Sequence, residues 1–133
     1  MKRILVTTFA LVIVYALHAQ QPGLQWVTIK SANLRCWECK ERLEKWLIVE
    51  NKSNMEQGIA QWKINLIQGE IKLQYLPDRT NPETIRAAIN NAGFDADDEK
   101  AEEGAYSKLP AACKRAEDGG GPKNGKPCHV KPM

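Results

Sequence analysis

Ile29-Lys30-Ser31-Ala32-Asn33-Leu34-Arg35-Cys36-Trp37-Glu38-Cys39-Lys40-Glu41-Arg42-Leu43 decides the fold, because the hydrophobic period changes in its middle. From Leu24 to Lys30, Val27 and Ile29 alternate with Thr28 and Lys30, the period-2 pattern of a half-buried strand. Downstream, Cys39, Leu43, Trp46 and Leu47 share one helical face and Lys40, Glu41, Glu44 and Lys45 the other. That spacing predicts a helix of about three turns. A strand therefore passes into a helix across Ser31 to Arg35, and two cysteines stand where the helix begins.

Further along, Glu50 to Gly58 is polar and aperiodic, which predicts a loop or a frayed helix end. Trp62, Ile64 and Leu66 then alternate with Lys63 and Asn65, and beyond Gln68-Gly69 the residues Ile71, Leu73 and Tyr75 alternate with Lys72 and Gln74, a hairpin signal. Asn81 offers a helix cap and Pro82 suits the first helical position. Ile85, Ala88, Ile89 and Ala92 form the apolar stripe that Gly93 ends. Phe94 to Asp98 is expected to add a short closing edge strand. The order strand, helix, strand, strand, helix, short strand is the split βαβ arrangement, an α+β, ferredoxin-like βαββαβ sandwich over residues 24–98.

Around this domain the chain of 133 residues leaves two extensions. Residues 1–19 read as a signal peptide: Lys2 and Arg3 precede the apolar run Ile4 to Leu17, and Leu17-His18-Ala19 suits cleavage. The run is shorter than the roughly 20 residues a spanning helix needs, so no stable membrane insertion is expected after cleavage. The mature chain is expected to be periplasmic or secreted. Residues 99–133, rich in Lys, Glu, Ala, Gly and Pro, are expected to be a mostly disordered, flexible tail containing Cys113 and Cys128, with Tyr106 to Leu109 as the one apolar patch able to dock on the domain.

Removing the signal takes Lys plus Arg from 19 to 17 against 16 acidic residues, so the net charge falls from +3 to +1. No basic stripe with interleaved aromatics remains, which argues against nucleic acid. The only mature histidine is His129, in the tail, and neither a Ser-His-Asp set nor a paired-carboxylate geometry can be argued, so no enzyme activity is expected.

The chemistry that remains is sulfur. Cys36 and Cys39 lie at the start of a helix, whose unpaired N–H groups and partial positive charge stabilise thiolate over thiol. Two convergent thiolates favour soft ions such as Cu(I), whereas a closed structural zinc site wants four ligands. Cys-x-x-Cys alone also serves thiol-disulfide exchange and plain disulfides, and export would place all four cysteines in an oxidising compartment. A thioredoxin-type reading would need a larger βαβ domain than the hairpin after the first helix allows.

Asn33-Leu34-Arg35-Cys36-Trp37-Glu38-Cys39 resembles the Gly-Met-x-Cys-x-x-Cys motif of the heavy-metal-associated domain family, which includes copper chaperones, modules of metal-pumping ATPases and periplasmic mercury-binding proteins. Asn65 to Ile71, Tyr75-Leu76-Pro77, Ile85 to Ile89 and Ala92-Gly93-Phe94 are similar to its later hairpin, strand and closing helix, so the resemblance covers Trp26 to Asp98. It implies that Cys36 and Cys39 bind Cu(I), with Hg(II), Zn(II) or another soft metal as alternatives, in a solvent-near site with Phe94 close by. It also implies a metallochaperone or metal scavenger that passes the ion by thiolate exchange to a metal-transporting ATPase or other carrier. Leu34 stands for the family's buried Met, Asn33 for its Gly, and Trp37-Glu38 is an unusual pair between the cysteines.

Tyr106 to Lys114 resembles a tail of exported bacterial members in which Leu-Pro precedes paired cysteines, Ala112 here replacing one of them. Cys113, Cys128 and His129 are therefore accessory ligand candidates. Against that stand a Cys113–Cys128 disulfide and a solvated His129. Trp46 and Trp62 are expected in the core, and the acidic run Asp95 to Glu103 on a solvated face. The alternatives to metal carriage are a thiol-disulfide oxidoreductase using Cys36 and Cys39, and a non-catalytic docking module with a structural disulfide.

Overall fold

Three antiparallel strands carry the molecule: β1 (Gln25–Lys30), β2 (Ile59–Asn65) and β3 (Glu70–Tyr75), in the spatial order β1-β3-β2. The computed structural model describes residues 23–123 and 126–133, so the expected signal peptide lies outside the described residues. Register follows the hydrophobic period. Val27 and Ile29 pair with Leu73 and Ile71, which pair on the other side with Trp62 and Ile64. All six side chains thus share one face of the pleat.

That face is covered by α1 (Trp37–Ser53) and α2 (Pro82–Asn91). Cys39, Leu43 and Leu47 form the buried stripe of α1, and Ile85, Ala88 and Ile89 that of α2, closing a core with Ile29, Leu34, Ile71, Leu73 and Phe94. The Asn81 side chain accepts the Thr84 N–H at 2.9 Å and caps α2 ahead of Pro82. This is the ferredoxin-like arrangement read from the sequence, and among the described residues no helix is long and apolar enough to cross a membrane.

Three local expectations are revised. The closing strand is reduced to a single Ala96–Glu99 bridge, because Asp97 adopts a left-handed φ of 54° and turns the chain back. Asp carries that conformation at modest cost. The segment still reaches the free edge of β1, where the Asp97 N–H donates to the Lys30 carbonyl at 2.7 Å and the Lys30 N–H to Asp97 Oδ1 at 2.9 Å.

Second, α1 runs for 17 residues, through part of the expected loop. Its last turn is clasped to β2 by Asn51, whose side chain accepts the Ile59 N–H and donates to the Ile59 carbonyl, both at 2.9 Å. Met55 plugs the end at 1% exposure. Third, Trp46 lies beside the Cys39, Leu43 and Leu47 stripe and keeps 39% of its surface exposed, while Trp62 is half-buried and donates its indole N–H to Glu44 at 3.3 Å.

The C-terminal extension differs most from expectation. It forms α3 (Glu103–Ser107) and two 3₁₀ turns, Ala111–Cys113 and Ala116–Asp118, and lays Leu109 and Cys113 into the core at 8% and 0% exposure. Composition suggested disorder because the segment cannot bury enough apolar surface by itself; it orders by borrowing the core's.

Gly93 permits the approach. Its φ is +98°, and a Cβ there would lie 3.1 Å from the Ala105 carbonyl and from Leu109 Cδ1. We predict that Gly93→Ala lowers unfolding stability by about 1–3 kcal/mol in urea titrations, by forcing a side chain into a left-handed backbone.

Candidate metal centre and its disulfide cover

Cys36 is the residue immediately before α1, with extended φ and ψ of −113° and 153°, and Cys39 sits in the first turn. Strand β1 and the Ser31–Arg35 connection deliver both cysteines to the same end of the sheet, as the motif requires. The Trp37 indole between them packs partly on the core, with Lys40 Nζ 4.4 Å from its ring centre.

The state of the sulfurs overturns the expectation of two exposed thiolates. Cys36 is bonded to Cys128 and Cys39 to Cys113, and the two are 2% and 0% exposed. None of the four cysteines is free. The anticipated Cys113–Cys128 pairing is replaced because the extension folds back over α1, one tail cysteine meeting each cysteine of the motif. His129, beside Cys128, is exposed. Among the described residues no group of three or more His, Cys, Asp or Glu side chains is disposed to hold a metal ion. The donor set therefore suits a soft cation only after both disulfides are reduced.

Main-chain contacts reinforce this cover. The Trp37 N–H donates to the Cys128 carbonyl at 2.6 Å, so the tail satisfies one of the unpaired donors at the start of α1. Asn33, where the resembled family has Gly, is 1% exposed and fully engaged. Its Nδ2 donates to the carbonyls of Gly93 at 3.1 Å and Cys113 at 2.9 Å, and its Oδ1 accepts from the Asp95 N–H at 2.9 Å and the Ser31 hydroxyl at 3.3 Å. One buried amide thus binds the motif loop, the α2 exit and the tail together.

A second anchor lies in the run expected to be a solvated face. Asp95, 7% exposed, takes a two-pronged pair of bonds from Arg115, Nε at 2.7 Å and Nη2 at 2.5 Å, and its Oδ1 also accepts the Ala101 N–H at 2.9 Å. Arg115 lies 4.1 Å from the Tyr106 ring centre, and its own N–H donates to the Tyr106 hydroxyl at 2.8 Å. Burial alone would raise the Asp95 carboxyl, but the Arg115 hydrogen bonds and the Ala101 N–H outweigh it and hold it below its ordinary value. The Arg115 guanidinium is raised in turn, chiefly by its hydrogen bonds to Asp95. Sequence reading missed Asn33, Asp95 and Arg115 as tail anchors; the departure of Asn33 from the family's Gly was the only signal.

No family model matches the chain. Over 75 residues it is 31% identical to a copper-exporting P-type ATPase of Staphylococcus epidermidis, a match taking in 56% of this chain but 9% of the ATPase, so the chain spans less than a tenth of the curated relatives it matches. Among solved structures it is similar to oxidized MerP from Ralstonia metallidurans CH34, with a TM-score of 0.47 and 18% identity over 56% of this chain and 94% of that one. A second is the CopZ metallochaperone, with a TM-score of 0.46 and 22% identity over 54% and 98%.

Two outcomes check the Asp95 anchor. Because its carboxyl is lowered in the folded chain, the stabilisation is complete above the ordinary value of 3.8 and is lost as pH falls through the lowered one. Amide exchange in residues 101–118 should accelerate, relative to the sheet, on acidification into that range. Arg115→Ala, which strands a buried carboxylate, should cost about 3 kcal/mol in chemical denaturation at neutral pH.

Proposed function

We propose that the chain is an exported carrier for a soft metal ion, binding Cu(I) through Cys36 and Cys39 when both are thiols and passing it on by thiolate exchange. The observation that carries this reading is the placement of the two cysteines together, at the strand-to-helix junction of a ferredoxin-like domain. The ATPase similarity supports copper over Hg(II) or Zn(II), and favours a metal-transporting ATPase as the receiver. Two thiolates leave the ion under-coordinated, so an incoming thiolate adds before an old one departs. We assign the protein no catalytic activity. In an oxidoreductase of the Cys-x-x-Cys kind, Cys36 and Cys39 would be each other's partners on oxidation, whereas here each is bonded to the tail.

A second reading rests on those same bonds: a docking module in which both disulfides are permanent staples. Titration with Cu(I) against a chromogenic chelator separates the two. The fully reduced chain should take up Cu(I) with a stoichiometry that the double variant Cys36→Ser/Cys39→Ser loses, and the oxidised chain should take up none. Equal binding by reduced wild type and double variant, or no binding by either, would leave the staple reading in place.

A further inference from the structure

The two disulfides are unequally protected. Cys39–Cys113 is sealed, both residues being 0% exposed. Its tail side is held by the Asn33 bond to the Cys113 carbonyl and, two residues on, by the Arg115–Asp95 pair. Cys36–Cys128 is reached from one side. Cys128 is only half-buried, and a cavity of about 290 Å³ opens on the bond, with Ala112, Pro122, Lys123 and Lys126 among its walls. Among the described residues neither lysine has a carboxylate partner. Their charge favours entry of an anion, and the attacking species in disulfide exchange is a thiolate.

We propose that residues 99–123 and 126–133 form a reductively opened cover that unlocks the cysteine pair in a fixed order, the outer Cys36–Cys128 bond before the inner Cys39–Cys113 bond, with a small dithiol as reductant. In the first step a dithiol thiolate entering by the cavity attacks Cys128 Sγ. The Cys36–Cys128 bond breaks, and its electron pair leaves on Cys36 as thiolate. The second sulfur of the dithiol, after losing its proton, attacks the mixed disulfide and releases Cys128 as thiolate. The dithiol ends as its own disulfide, two electrons poorer, and the protons it gave up are available to the two new thiolates. The inner bond needs a second dithiol and the same exchange, but only after the 111–118 segment lifts from Asn33 and Asp95. Between the steps Cys36 is free and Cys39 is not, so a two-thiolate site exists only when both bonds are open. That last consequence rests on the metal-binding reading; the order of opening does not.

The test is a reduction time course on the full oxidised chain with a dithiol such as dithiothreitol, quenched by alkylation and mapped by peptide mass spectrometry. Label should enter Cys36 and Cys128 faster than Cys39 and Cys113 by about tenfold or more, since a sealed bond waits for local opening. Lys123→Glu/Lys126→Glu, both exposed positions, should slow the first phase. Arg115→Ala should speed the second and leave the first unchanged. Simultaneous labelling, or inner before outer, overturns the proposal. The Cys128→Ser chain should retain Cys39–Cys113 and take up no Cu(I) until reduced; uptake without reductant would overturn the gate but leave metal binding standing. Ordered opening followed by no Cu(I) uptake in the fully reduced wild type would do the opposite.

Discussion

Two covalent bonds from the start of α1, one at its cap residue and one in its first turn, to the C-terminal extension govern how the rest of this structure is arranged. They join positions 92 and 74 residues apart in sequence, so either one closes a loop spanning most of the folded domain. In the chain-entropy account a loop of that size removes roughly 4–5 kcal/mol of freedom from the unfolded state. The two loops are nested, so the second bond closes a much shorter additional path and contributes less. Their structural effect is larger than this implies, because they convert a segment with too few apolar residues to fold by itself into part of the core. Leu109 and Cys113 become buried only because the segment is held where the sheet and helices already exclude water.

The same tether explains the polar network beneath it. A tail fixed only at its cysteines would leave the carbonyls of Gly93 and Cys113 buried without donors, and unsatisfied groups of that kind cost about 1–3 kcal/mol each. The Asn33 amide supplies both, and its oxygen takes the Asp95 N–H in return. A glycine at this position could do none of it. Asp95 and Arg115 extend the logic to charge: each is largely removed from water, and the pairing is tolerable because both prongs of the guanidinium are used and the Tyr106 face covers it.

The legible part of the fold was the part fixed by periodicity. Val27 and Ile29, Ile71 and Leu73, and the Leu43–Leu47 and Ile85–Ile89 pairs are each local in sequence, and their spacing states which face is buried before any partner is known. Asn81-Pro82 announced α2 for the same reason. The illegible part depends on long-range meetings. Nothing within Glu50–Gly58 says that Asn51 will clasp Ile59 and prolong α1, and nothing near Asp95 says that Arg115 will arrive to neutralise it. Cysteine pairing is the sharpest case. Four cysteines allow three connectivities, and choosing among them requires knowing that the tail folds back over the motif, which composition argued against. The motif itself was correctly placed at the strand-to-helix junction; the oxidation state of its sulfurs is a property of their neighbours.

Under the proposed ordered opening, this arrangement differs from a permanently stapled domain in where the strength of the cover resides. A cover meant to stay would bury both bonds equally, since burial is what keeps a thiolate away from sulfur. Here the burial is graded: the bond nearer the chain terminus faces a cavity flanked by lysines, and the bond nearer the domain is fully buried, with Asn33 bonded to the Cys113 carbonyl and the Arg115–Asp95 pair two residues on. Non-covalent contacts are thus concentrated around the inner disulfide, so breaking the outer one leaves the tail docked and the remaining bond still protected. Grading of this kind gives the opening a direction, from the terminus inward. It also keeps the inner cysteine out of reach until an encounter with reductant has been followed by local unfolding, two independent conditions that a single exposed disulfide would not impose.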